Sequence, residues 1–173
     1  MASKPPIMNV ADVELKPSHP PLSPELDGKF GGAKIGFIGP AIGAEKLGYN
    51  VTAVPPGRRA FPFHNHRVNE EMFFILEGEG SVRIGEDTFP IKPGDIIACP
   101  PGGAGRAHQI VNSGSKELRY LAVSTKLAPE IAQYPDSNKF GVLGYFEGPE
   151  GQKETFRYVG RSELCLDYYD GES

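Results

Sequence analysis

Between Lys34 and Thr125 the chain alternates short apolar stretches with breaks that carry glycine or proline. IGFI, KLGYNVTAV, MFFIL, SVRIG, TFPI, IIACP, RAHQIVN and ELRYLAVST follow one another, and their β-branched and aromatic content predicts strands. They recur about every eight to ten residues, the rhythm of an all-β sandwich or barrel. MFFIL is continuous and apolar, as expected of a strand covered on both faces. Gly78-Glu79-Gly80 and Gly85-Glu86-Asp87 supply the positive φ that tight hairpins need. Nothing from Pro40 to Thr125 shows helical periodicity, and LAPEIAQY has room for about two helical turns at most.

The flanks differ in texture. Six of the 17 prolines precede Glu25, so residues 1–33 are expected to form an extended or irregular arm. Within it VADVEL could still pair as an edge strand or reach onto a neighbouring subunit, and His19, between Ser18 and Pro20, is expected to be solvated. Residues 34–126 are the predicted barrel. Residues 127–173 hold FGVLGYF, TFRYVG and LCLDYYDG between proline, glycine and charge, and are expected to be an extension of outer strands or an arm over the barrel mouth. Its aromatics, Tyr145, Phe146, Tyr158, Tyr168 and Tyr169, are expected to pack.

Composition narrows the partners. The formal net charge is −4, and residues 126–173 account for it, with five basic and nine acidic side chains against thirteen of each before them. No block of lysine and arginine offers a footprint for nucleic acid. No apolar run has the length of a membrane helix, and MASKPPIMNV lacks the features of a secretory signal, so a cytoplasmic protein with small-molecule partners is expected. Cys99 and Cys165 sit in no paired motif, and Cys99, after Ile96, Ile97 and Ala98, is expected to be a buried thiol.

The chemistry gathers in PFHNHRVNEEMFFILEGEG. His64 and His66 are two apart, so on an extended strand both imidazoles project from one face. Glu71 follows five residues after His66, and His108 lies on a second strand-like stretch. Three imidazoles and a carboxylate are a ligand set suited to Fe, Mn, Ni, Cu or Zn. Arg106, two residues before His108, would share its face and could hold a carboxylate or phosphate if the strand already runs there.

From Gly57 to Asn112 the sequence resembles the cupin superfamily. Gly57, His64, His66, Glu71 and Gly78 match its first motif, and Gly94, Pro100, Gly102, His108 and Asn112 its second. In the first, the gap from glycine to histidine is one residue longer than usual. In the second, five residues, Gly103 to Ala107, stand where two are usual, an insertion that loops absorb at little cost. The distance from Glu71 to Gly78 selects Glu71 over Glu70. The resemblance implies an antiparallel double-stranded β-helix, or jelly roll, enclosing one divalent transition metal (Fe, Mn, Zn or Ni) on His64, His66, Glu71 and His108. It also implies a homodimer. The flanks LGYNVTAVPPG and AQYPDSNKF look like those of stand-alone bacterial cupins provisionally named sugar-phosphate isomerases. The expected function is that of a metalloenzyme, isomerase-like or dioxygenase-like, acting on a small polar substrate such as a sugar phosphate or organic acid. The alternative is a non-catalytic sensing module. No residue is assigned a catalytic role.

Overall fold

The computed structural model describes residues 5–161, 163 and 165–172. In chain order its elements are β1 (Lys16–Pro17), α1 (Pro24–Phe30), β2 (Lys34–Phe37), α2 (Gly39–Ile42), β3 (Leu47–Val54), β4 (Asn65–His66) and β5 (Glu71–Glu77). There follow β6 (Gly80–Ile84), β7 (Asp87–Ile91), β8 (Ile96–Cys99), β9 (His108–Val111), β10 (Leu118–Thr125), β11 (Glu130–Tyr134), β12 (Lys139–Glu147) and β13 (Lys153–Gly160). The fold is all-β and is a double-stranded β-helix.

Three antiparallel sheets build it, in the orders β1-β2-β3-β10-β5-β8, β7-β6-β9 and β13-β12-β11-β4. The main core lies between the first two: Val54, Phe73, Ile75, Leu118 and Tyr120 from one meet Val82, Ile91 and Ile110 from the other. Along β5 the side chains alternate, with Phe73 and Ile75 buried in that core. Leu76, on the other face, joins a smaller cluster around Val13, Ile38 and Val51, so MFFIL is covered on both faces, though unequally. Cys99 is buried, which pushes its thiol up to about 12, and Cys165 is exposed.

The hairpin glycines do the work their sequence positions imply. Gly78 has φ +77°, and a Cβ there would lie 2.3 Å from the Glu117 carbonyl oxygen, so the position requires both the left-handed backbone and the missing side chain.

Two expectations for the arm change. The arm is not irregular throughout: Ser23 caps α1, Pro24 occupies its first turn, Glu25 and Asp27 are acids near its N-terminus, and Lys29 lies in its last turn. VADVEL does not form the edge strand. Val10–Asp12 make a 3-10 turn, Val13 packs into the smaller cluster, and the edge is the two-residue β1, with Lys16 opposite Ile35. LAPEIAQY, with room for about two helical turns at most, forms none: β11 gains ladder bonds from both β4 and β12, more than a short isolated helix could supply.

His19 is half-buried, not solvated; its ring nitrogens lie 2.9 Å from the carbonyl oxygens of Pro20 and Phe30. The aromatics expected to pack are instead substantially exposed, because they project from the outer hairpin β12–β13 and the residues after it. No helix among the described residues is long and apolar enough to cross a membrane.

Candidate metal centre

Three strands and one isolated bridge bring the candidate ligands together. His64 pairs with His108 through two backbone bonds: the His108 amide donates to the His64 carbonyl at 2.7 Å, and the His64 amide to the His108 carbonyl at 3.2 Å. His66, the second residue of β4, lies opposite Ala132 of β11. Glu71 opens β5, opposite Cys99 on one side and Ser124 on the other. The alternation that leaves Asn65 between the histidines sends its amide elsewhere, to the Gly102 carbonyl at 2.7 Å.

One oxygen is the focus. Glu71 Oε2 is 3.0 Å from His108 Nε2, 3.4 Å from His66 Nε2 and 3.8 Å from His64 Nε2. One donor atom from each of the four residues lies within 4.8 Å of the others. Ligands about 2.1 Å from a common cation sit roughly 3.0 Å apart at right angles and 3.4 Å apart at tetrahedral angles; the His108 and His66 separations match these, and the His64 one is wider. Both ring nitrogens of His66 are buried without a hydrogen-bond partner. Buried polar atoms are rarely left so, and a cation would satisfy Nε2.

The electrostatics prepare the same donors. Burial, reinforced by the neighbouring His108, lowers His64 to about 4, so its lone pair is free at neutral pH. Burial would also raise the Glu71 carboxyl, but the His108 hydrogen bond and the nearby His66 and His64 rings outweigh it and hold Glu71 well below the usual carboxylate range. His66 moves upward: burial opposes its charge, but the Glu71 and Glu130 carboxylates prevail.

Glu130, the first residue of β11, is a participant that no sequence motif indicated. It is buried, and its Oε2 lies 3.6 Å from His66 Nδ1. Its oxygens accept the backbone amides of Arg67 (3.0 Å), Val68 (3.3 Å), Asn69 (2.8 Å) and Ile131 (2.8 Å), and the Asn69 side-chain amide as well. It pins the loop between β4 and β5 and faces the far nitrogen of His66. Carboxylates in that position orient a ligating imidazole and raise its basicity.

Arg106 does not join the cluster. The strand begins only at His108; Arg106 ends a 3-10 turn over Ala104–Arg106, and its side chain is exposed. Asn112 is a structural residue, its amide donating to the Val54 and Lys116 carbonyls at 2.7 and 2.8 Å.

Beside His66 and Glu130 opens a cavity of about 590 Å³, walled by Tyr134, Thr155, Arg157 and Tyr158. Tyr134 stacks against His64, with ring centroids 6.1 Å apart. Burial raises its phenol above the ordinary value, against the pull of the Arg157 charge.

The strand order, the enclosed histidine cluster and the two motifs agree with the family comparison, in which the Cupin domain family matches residues 50–124. Residues 50–124 form a cupin domain. Among solved cupins the chain is similar to a sugar phosphate isomerase of the cupin superfamily from Silicibacter pomeroyi, at 22% identity and TM-score 0.74, covering 95% of this chain and 98% of that one. It is also similar to a protein of Acidithiobacillus ferrooxidans provisionally named sugar phosphate isomerase, at 27% identity and TM-score 0.59, covering 73% and 78%. In sequence it is 36% identical over 70 residues to the oxalate-binding protein of Thermotoga maritima, which is 40% of this chain and 54% of that protein. The chain spans about half the length of the curated relatives it matches.

Proposed function

We propose that this cupin is a metal-dependent enzyme acting on a small oxyanion, a sugar phosphate or an organic acid. The observation that carries the reading is the convergence of His64, His66, His108 and Glu71 beside a cavity that also holds Arg157 and Tyr134. Four protein donors leave positions open on a metal that takes six, as catalytic sites require. Bound there, a divalent metal supplies a Lewis acid that polarises a carbonyl or hydroxyl oxygen.

The chain's own groups divide the remaining tasks. Arg157 offers two parallel N–H donors to a phosphate or carboxylate. Tyr134 keeps its proton at neutral pH and donates from Oη to a substrate oxygen. Glu130 is saturated with amide donors and serves as a positioning residue. The ligands named for two relatives, a sugar phosphate and oxalate, are both small oxyanions, which supports the substrate class.

The test is turnover by the metal-loaded protein on aldose and ketose phosphates and on oxalate. Turnover of one of them is expected, with Arg157→Met raising KM by roughly tenfold or more, the contribution of a charge-assisted hydrogen bond. Saturable binding without turnover would make the domain a sensor, and no binding of any of these anions would contradict the proposal.

A further inference from the structure

We infer that the protein carries a second ligand site, outside the barrel, for an amphipathic organic anion: an apolar body bearing a carboxylate, sulfonate or phosphate. A cavity of about 460 Å³ is bounded by α1, the segment before β4, β9 and the turn into β12. That volume suits a small organic molecule. None of the four metal-ligand candidates lines it. The two sites share β9 and lie on opposite faces of it: Gln109 follows His108, and consecutive strand residues project to opposite sides.

The lining has two parts. Leu22, Leu26, Phe30 and Phe63 supply an apolar surface. Lys29, Arg59 and Lys139 supply three cations against one carboxylate, Asp136, whose two oxygens are already held at 3.0 Å by Arg83. Arg59 is the strongest pointer. Its Nε is shielded from solvent and has no hydrogen-bond partner among the described residues, and its Nη1 reaches Gln109 only at 3.5 Å, the outer limit for such a bond. A guanidinium left half-satisfied beside an apolar wall recruits an anion whose remaining bulk is apolar.

The inference is independent of the metal reading, and its test uses 1-naphthoate as the probe and the neutral 1-naphthamide as its shape control. Calorimetry on the full chain should show one saturable naphthoate site, with naphthamide at least about tenfold weaker because it lacks the charge. Arg59→Met and Lys139→Met should each weaken naphthoate several-fold and leave naphthamide unchanged, with circular dichroism confirming the fold. Lys139 is a half-buried cation on an outer strand, so its variant keeps the test informative should Arg59→Met fail to fold. Arg157→Met, on the far cavity, should bind naphthoate like the parent. Equal affinity for the acid and the amide, parent-like binding by Arg59→Met, or loss of binding in Arg157→Met would each overturn the inference.

Discussion

At the scale of single residues, Glu130 makes the candidate metal centre more than a meeting of histidines. Its carboxylate collects four backbone amides and a side-chain amide while facing His66 Nδ1. Glu130→Gln keeps the shape but replaces one acceptor oxygen with an amide group that has no acceptor to meet among those N–H donors. The variant should lose about 2–3 kcal/mol in urea unfolding and bind metal roughly 10–100-fold more weakly in a chelator competition. Parent-like affinity would mean that Glu130 does not orient His66. The four candidate ligands were legible in the sequence because strand alternation and motif spacing are local signals. Glu130 was not, because its partners lie some sixty residues upstream and the meeting depends on β11 pairing with β4. Arg106 failed for a local reason: two-residue spacing shares a face only where the backbone is extended, and there it is a 3-10 turn.

At the scale of elements, β3, β5, β6, β8, β9 and β10 follow the hydrophobic rhythm, because each is short, bounded by turn residues and buried on at least one face. The misreadings come where local and tertiary signals compete. Ser23, Pro24 and Glu25 are a helix start, concealed in a leader whose other prolines indicate extended chain. VADVEL has alternating apolar residues, yet Val10–Asp12 close a 3-10 turn and Val13 packs into the smaller cluster.

The turns give a test at this scale, since Gly78 and Gly94 both have positive φ, +77° and +94°, but only Gly78 faces an obstructing backbone. Gly94→Ala meets nothing within 4 Å and should lose about 1–2 kcal/mol in thermal or urea unfolding, the strain of the left-handed backbone alone. Gly78→Ala should lose distinctly more, because the Glu117 carbonyl must also move. Equal losses would show that the β5–β6 turn is more yielding than its geometry implies.

At the scale of the whole molecule, residues 127–173 contribute to the site. Through β11 they cover β4 and supply Glu130, and through β12 and β13 they wall the cavity with Tyr145, Arg157 and Tyr158. The candidate metal centre is thus assembled from segments scattered along the chain and converging on Glu71 Oε2. The most direct test is elemental analysis of untagged protein, comparing the parent chain with His66→Ala. The account predicts about one divalent transition metal per parent chain and a large loss in a variant that remains folded, because three remaining donors hold the ion far less well than four. A parent chain that takes up no stoichiometric metal when offered Fe, Mn, Ni or Zn, or a His66→Ala variant that keeps its full metal content, would contradict it.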